Sequence, residues 1–144
     1  MSGSPQLKPV SNVPAKGEID ERIRMAIHAA EDKKAIDIVV LDLREIASFT
    51  DYFVITSGSN ERQVQAISDG VAETLKKAGT AAARVEGYKT AEWILLDYGD
   101  FVIHVFDDKA RKFYDLERLW RDSKRVELPA ELAEDGNSSL RIDS

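Results

Sequence analysis

The chain has 144 residues, of which 43% are hydrophobic, so it can bury the core of one ordinary domain. It contains no cysteine, which excludes disulfides, thiolate zinc sites and a cysteine nucleophile. No apolar run is long enough to span a membrane, and the first residues lack the apolar segment of a signal peptide. Together these features predict a cytoplasmic protein that does not associate with membranes.

The net charge of −6 is unevenly distributed along the chain. Residues 1–17 carry +2 and residues 128–144 carry −3, so residues 18–127 carry −5. An acidic domain is poorly suited to the phosphate backbone of a nucleic acid, which favours clusters of Lys and Arg. We therefore expect little direct nucleic-acid binding and a basic protein as the better partner.

The two ends of the chain differ from its middle in composition. Residues 1–17 contain three of the four prolines, with serine, glycine and lysine, and predict a disordered N-terminal tail. Residues 128–144 are acidic and polar and predict a flexible C-terminal tail. Residues 18–127 between them alternate between helical and strand patterns and predict a single α/β domain.

The first half of that domain predicts two helices around two strands. In residues 18–34 the apolar positions recur at helical spacing: Ile19, Ile23, Ala26, Ile27 and Ala30. The segment AIDIVVLDL, residues 35–43, is β-branched and almost continuously apolar, as expected of a strand covered on both faces. A second strand follows at residues 52–58. Asn60 and Gln63 then predict a capping box that opens a helix, with the apolar stripe Val64, Ile67, Val71 and Leu75, and Gly79 ends it.

The second half predicts three more strands and a terminal helix. AARVEG indicates a short strand, and residues 93–106 indicate a hairpin. Asp108 predicts an N-cap, and in KARKFYDLERLWRD the residues Phe113, Leu116, Leu119 and Trp120 lie at helical spacing. The whole order, α-β-β-α-β-β-β-α, predicts a mixed five-stranded sheet with helices packed on it.

The hairpin WILLDYGDFVIHVF is the densest stretch of the sequence. A turn centred on Tyr98-Gly99 predicts that Trp93 faces His104 and Ile94 faces Ile103 across the two strands. One face then carries only apolar residues: Ile94, Leu96, Phe101 and Ile103. The other face is mixed and carries Trp93, Leu95, Val102 and His104, with Asp97 and Asp100 at the tip.

This mixed face has two interpretations. Trp93 and His104 can be a cross-strand pair that a helix partly covers, and Asp97 and Asp100 can be turn-formers that bond nearby amides. Alternatively, the aromatic, aliphatic and acidic side chains form a contact patch for another protein, where tryptophan is enriched.

An enzymatic interpretation depends on TSGSN, residues 56–60. This loop joins a strand to a helix, can hold an anion, and contains the Gly58-Ser59 pair found in nucleotidyltransferases. Such an enzyme would need Asp97 or Asp100 to hold magnesium, but no paired-carboxylate motif follows the loop on a strand. His28 has the pattern of an ordinary helix residue, and His104 with Asp97 or Asp100 matches no standard metal-ligand spacing.

Five blocks of the sequence, in order, are more specific than any of these single motifs. They are KAIDIVVLDL, TDYFVITSGSNERQVQAI, Glu86-Gly87, EWILLDYGDFVIHVF and RKFYDLERLW. Across residues 20–121 they resemble the Iojap family of bacterial ribosomal silencing factors. The matching residues include Asp37, Leu41, Asp42, Trp93, Asp97, Gly99, Asp100, His104, Phe106, Arg111, Tyr114, Leu116, Glu117, Leu119 and Trp120.

The resemblance implies a function that composition cannot show. Members bind the large ribosomal subunit through ribosomal protein L fourteen on its subunit-facing side, block joining of the small subunit and so repress translation. It also implies a nucleotidyltransferase-like fold without catalytic residues, and hence no enzyme activity, cofactor or metal. Apart from the resemblance, a homodimeric module with the Trp93 face as its self-interface is a third alternative.

The ribosomal-protein contact of the family carries over onto the hairpin and the strand beside it. The implied contact residues are Trp93, Ile94, Asp97, Tyr98, Asp100, His104, Asp51 and Tyr52. Ile94 lies on the predicted core face, so its contact would have to come at the edge of the sheet.

Overall fold

The computed structural model describes residues 20–128, in which short helices and strands form one α/β unit. In chain order they are α1 (Glu21–Asp32), β1 (Ile36–Asp42), β2 (Tyr52–Gly58), α2 (Glu61–Lys77), β3 (Arg84–Glu86), β4 (Trp93–Asp97), β5 (Phe101–Asp107), α3 (Asp108–Tyr114), α4 (Leu116–Leu119) and β6 (Lys124–Arg125). The predicted N-terminal tail, nearly all of the predicted C-terminal tail and Ile19 lie outside the described residues. Within residues 20–128 no helix is both long and apolar enough to cross a membrane.

The strands form one mixed sheet in the order β3-β4-β5-β2-β1-β6. Strands β2 and β5 run parallel at its centre, and all other neighbours are antiparallel. The α/β class and the mixed sheet were predicted, but the predicted number of five strands is wrong. The sixth strand, β6, pairs only Leu41 and Asp42 of β1 with Arg125 and Lys124, and two residues carry no periodic pattern.

One face of the sheet is covered by the two long helices, and we call it the helix face. Its sheet residues are all buried with the apolar stripes of α1 and α2, and they include Val40, Tyr52, Val54, Ile94, Leu96, Phe101, Ile103 and Val105. Both helices begin at good caps, because Asp20 accepts from the amide of Arg22 and Asn60 from that of Gln63. Burial of these aliphatic stripes is the main stabilisation of this half of the fold.

Among the described residues, α3 and α4 are the helices that cover the opposite face, which we call the aromatic face. Its ring-bearing residues are Phe53, Trp93, His104 and Phe106 from the sheet, with Tyr114 and Trp120 above them. The predicted single terminal helix is wrong, because Asp115 adopts a left-handed conformation with φ 47° and splits it into two short helices. Two short helices cover less of the sheet than one long helix would.

Two further local predictions need correction. The N-cap of α3 is Asp107, whose carboxylate accepts from the amides of Lys109 and Ala110, so Asp108 is the first helical residue. Strand β1 is not covered on both faces, because its first residues are exposed and the strand is bulged between Ile36 and Val39. Asp37 in that bulge has φ 49°.

Candidate protein-binding face

The hairpin forms as predicted, but its register differs by two residues. Trp93 faces Phe106 and Leu95 faces His104, because the turn is centred on Gly99 and Asp100. Gly99 has φ 86°, a conformation that glycine adopts without strain as the first residue of a tight turn. A shift of two residues leaves each side chain on its predicted face, since strand side chains alternate with a period of two.

Trp93 and His104 nevertheless contact each other, diagonally across the two strands. The indole Nε1 of Trp93 donates a hydrogen bond of 3.0 Å to Nδ1 of His104. The indole also stacks on Phe106 opposite it, and Tyr114 contacts it from α3, each at 4.9 Å between ring centroids. The indole is therefore held by two ring contacts and one directed bond, while part of it stays accessible to solvent.

His104 is a buried polar residue near the centre of the sheet, with 3% of its surface exposed. The edge of its ring meets Phe53, with the ring centroids 4.4 Å apart, and its Nε2 has no hydrogen-bond partner within residues 20–128. Burial lowers the pKa of His104 to about 4, against a smaller opposing effect of Asp97. The imidazole is therefore neutral near pH 7.

A series of ring contacts extends this centre across the aromatic face. Phe53 touches Trp120 of the segment after α4, and Phe49 from the β1–β2 connection touches both of them, at 5.8–6.0 Å between centroids. At the other end Phe113 packs edge-on against Tyr114 at 5.0 Å. The Trp93 hairpin is thus one part of a larger aromatic surface.

Several large apolar side chains project from this side into solvent. Phe113 is 79% exposed and Leu119 is 72% exposed, although both were predicted to line the buried stripe of one helix. Phe49 and Tyr114 are also exposed. Exposed apolar groups in a contiguous patch are typical of a protein-binding surface. The sequence signal was available in YDLER, because the aspartate between Tyr114 and Leu116 can adopt the left-handed conformation that ends a helix.

Four of the eight implied contact residues are buried. Ile94, with 0% exposure, and Tyr98 pack in the core of the helix face, and Tyr52 and His104 are 4% and 3% exposed. The hydroxyl of Tyr98 has no partner within the described chain, and burial raises its pKa. These four side chains shape the sheet and offer almost no contact area of their own.

The acidic residues at the hairpin tip have defined partners. Asp97 accepts from the amide of Gly99 at 2.9 Å, so its predicted role as a turn-former is confirmed, and it pairs with Arg84 of β3 at 3.2 Å. The carboxylate of Asp100 does not cap the turn and instead meets Arg22 of α1 at 2.7 Å. Asp51 is exposed, and its amide donates to the carbonyl of Asp100. The acidic rim is therefore partly neutralised by arginines.

The enzymatic interpretation fails on geometry. Strands β2 and β5 are paired so that Tyr52 lies beside Phe101 and Gly58 beside Asp107. The Gly58-Ser59 loop and the hairpin aspartates therefore lie at opposite ends of the sheet, roughly 20 Å apart at about 3.3 Å per residue. They cannot hold one magnesium ion. Within the described part of the chain, no group of three His, Asp or Glu residues could hold a metal.

The polar groups of the TSGSN loop also bond other residues of the protein. The Gln63 side chain accepts from the amide and hydroxyl of Ser59 and donates to the carbonyls of Lys33 and Lys34. The predicted capping box is therefore displaced by one residue, since Gln63 reaches Ser59 and not the amide of Asn60. This arrangement closes the start of α2 and ties it to the end of α1.

Comparison with known proteins assigns this fold and surface to one family. Residues 16–142 match the model described as RsfS, ribosomal silencing factor during starvation. The chain is 42% identical over 108 residues to the ribosomal silencing factor RsfS of Halalkalibacterium halodurans, which covers 75% of this chain and 92% of that protein. A crystal structure of a Chromobacterium violaceum protein shares 37% identity at a TM-score of 0.69, over 76% of this chain and 88% of that one.

A more distant relative carries a different ribosomal name. The mouse protein called mitochondrial assembly of ribosomal large subunit protein 1 is 31% identical over 144 aligned residues, covering 94% of this chain and 61% of that protein. The matching family model and the bacterial relative are named ribosomal silencing factors, a regulatory function, as predicted for a chain that is not an enzyme. The chain belongs to the RsfS family of ribosomal silencing factors.

Proposed function

We propose that this protein binds the large ribosomal subunit through ribosomal protein L fourteen on its subunit-facing side. The bound protein occupies space that the small subunit needs, so the subunits do not join and translation is repressed. The observation that carries this proposal is the partly exposed Trp93, which is held next to the exposed ring of Tyr114, with the exposed Phe113 packed on Tyr114. Membership of the family supports the ribosome as target, and the net charge of −6 suits a basic partner.

The eight proposed contact residues divide into two groups by their burial. Trp93, Asp97, Asp100 and Asp51 offer surface to a partner, with Trp93 as the apolar anchor and the aspartates as its rim. Ile94, Tyr98, His104 and Tyr52 lie beneath them and fix the shape of the strands. We add Phe113, Tyr114 and Leu119 to the contact surface, because they are exposed on the same side of the sheet.

The direct test is co-sedimentation of the protein with purified large ribosomal subunits, at low and high salt. We expect Trp93→Ala to weaken binding by about 2 kcal/mol, or about thirtyfold, because an interface anchor is lost. Tyr88→Ala is the matched control, since Tyr88 is an exposed aromatic residue that bonds Asp69 of α2, away from the aromatic face. Equal binding of wild type and a folded Trp93→Ala variant would remove Trp93 from the site.

A second variant tests the surface without a risk to folding. Phe113 is 79% exposed, so Phe113→Ser should leave the free energy of unfolding nearly unchanged. If the contact surface extends to α3, this variant binds large subunits several-fold more weakly than wild type. Retained affinity would restrict the contact to the hairpin.

The blocking step has its own readout. Purified large and small subunits are mixed with and without the protein, and the joined ribosomes are separated on a sucrose gradient. Wild type should reduce the joined fraction in proportion to its occupancy of the large subunit, and Trp93→Ala should not. Binding without any loss of joining would contradict the steric block. Pull-down of isolated L fourteen by wild type but not by Trp93→Ala would identify the partner.

Self-association through the same surface is a second candidate, favoured by the exposed rings of Phe113, Tyr114 and Phe49. A homodimer would hide the aromatic face until the ribosome competes for it. Light scattering decides, because a monomer mass that does not change with protein concentration excludes the dimer. The nucleotidyltransferase-like ancestry of the fold remains a proposal too, in which the Gly58-Ser59 loop is a relic without a catalytic role.

A further inference from the structure

His104 lies in an environment where a buried histidine lowers the stability of the fold. Its ring is surrounded by Phe53, Phe106 and Trp93, and Nε2 has no hydrogen-bond partner within residues 20–128. A buried polar group without a partner destabilises a fold, and a phenylalanine of similar size would avoid that loss. Packing alone therefore gives no reason for an imidazole at this position.

The bond to Trp93 supplies the reason. An indole N–H can only donate, so Nδ1 of His104 must be the unprotonated nitrogen and the ring proton must lie on Nε2. Trp93 is opposite Phe106 on β5, and His104 lies two residues nearer the hairpin tip on the same face. The bond therefore fixes the indole with its N–H directed along the sheet toward His104. Stacking on Phe106 alone would not fix that direction.

We propose that His104 is a positioning residue, whose Nδ1 holds the Trp93 indole in the orientation that docks on the ribosome. This inference rests on the proposed function, because it assigns a role within the same docking surface. Because His104 is 3% exposed, it acts through Trp93 and does not itself contact the ribosome. Preorganising an interface side chain raises affinity, because less of its freedom is lost on binding.

Two substitutions at this position separate positioning from stability. His104→Phe keeps the ring and its packing but removes the acceptor, so we expect unfolding free energy to be retained and affinity for large subunits to fall about three- to tenfold. His104→Asn keeps an acceptor oxygen close to the place of Nδ1 but leaves a cavity. We expect it to unfold more easily while the folded fraction binds nearly as wild type does.

The bond itself can be observed in solution by nitrogen-proton NMR of the full chain. The sequence has two tryptophans, and a Trp120→Phe variant assigns the two indole signals. The Trp93 indole proton should resonate downfield and exchange slowly in wild type and in His104→Asn. In His104→Phe it should move upfield and exchange faster, while the Trp120 signal stays in place.

The outcomes are distinct. If His104→Phe loses the Trp93 signature and binds large subunits as tightly as wild type, the bond is structural only and the inference is overturned. The same follows if the Trp93 signal does not move. If wild type itself does not bind large subunits, the proposed function fails first, and the inference fails with it. Loss of affinity in His104→Phe with rescue in His104→Asn supports the inference.

Discussion

The two faces of the sheet are covered very differently, although both are buried in part by helices. The helix face carries mainly aliphatic side chains under α1 and α2, which have 12 and 17 residues. The aromatic face carries rings under α3 and α4, which have seven and four. Long helices shield the first face from solvent, and the short pair leaves rings of the second exposed.

This difference separates stability from recognition within one sheet. On the helix face the buried sheet residues are mainly aliphatic, so the free energy there comes mainly from burial of apolar surface. On the aromatic face the indole N–H of Trp93 bonds Nδ1 of His104, which satisfies these two atoms while the indole stays partly exposed. Tryptophan and tyrosine suit such a surface because they combine contact area with little rotamer freedom.

Adjacent residues of β4 give the sharpest test of this contrast, with the largest expected effect. Ile94 has 0% exposure on the helix face, so Ile94→Ala should lower the free energy of unfolding by about 4 kcal/mol. Leu95 is only partly buried on the aromatic face, so Leu95→Ala should cost about 1 kcal/mol. Urea denaturation measures both values. Equal losses would mean that the two faces contribute equally to stability.

The pH dependence of stability should come from the aromatic face. The pKa of His104 is about 4 in the folded state and histidine ordinarily titrates at 6.5, so between these pH values the unfolded chain binds the proton and the folded chain does not. The free energy of unfolding should therefore fall as pH drops from 6.5 to 4, by about 3 kcal/mol at 1.36 kcal/mol per pKa unit.

Denaturation curves of wild type and His104→Phe at several pH values check this effect. The variant should lose the part of the slope that His104 causes, while His28 is present in both proteins. The hydrogen bond from Arg44 lowers the pKa of Asp42, and this residue is present in both proteins, so its effect below about pH 5 cancels in the comparison. Parallel slopes in the two proteins would contradict the assignment to His104.

The sequence predicted which face of the sheet each residue occupies better than it predicted the strand register and the helix ends. The hairpin register was wrong by two residues, yet Ile94 and Trp93 stayed on their predicted sides because the alternation has a period of two. The terminal helix was predicted as one piece because Phe113, Leu116 and Leu119 fit a helical stripe. The left-handed Asp115 interrupts that stripe, and the exposed Phe113 and Leu119 result.

The site was predictable where its residues are close in sequence, and not where the fold joins distant ones. The contact between Trp93 and His104 follows from one hairpin. The pairing of Asp100 with Arg22 joins residues 78 positions apart, and no local pattern indicates it. The burial of four of the eight proposed contact residues is likewise a property of the whole sheet, since it depends on which helix covers each strand.

The attachment of α3 to the sheet depends on the side chain of Arg111. Its guanidinium bonds Glu117 of α4, the carbonyl of Asp37 in the β1 bulge and the hydroxyl of Ser57, and only 10% of its side chain is exposed. Arg111→Lys keeps the charge but cannot form these bonds together, so it should cost about 2 kcal/mol of unfolding free energy. Lys112 is exposed, so Lys112→Ala should change the free energy of unfolding by less than about 0.5 kcal/mol in the same denaturation experiment.

The ion pair at the hairpin tip should contribute little to stability. The carboxylate of Asp100 is 59% exposed and pairs with Arg22, so Asp100→Asn should change the free energy of unfolding by less than about 1 kcal/mol. Its effect should lie in the rate of association with large subunits, because rim charges steer a basic partner more than they hold it. Surface plasmon resonance at two salt concentrations separates the two rates. A slower association at low salt, with an unchanged dissociation rate, would place Asp100 on the rim. A faster dissociation would instead make it part of the anchored centre with Trp93, and the division between acidic rim and aromatic centre would then be wrong.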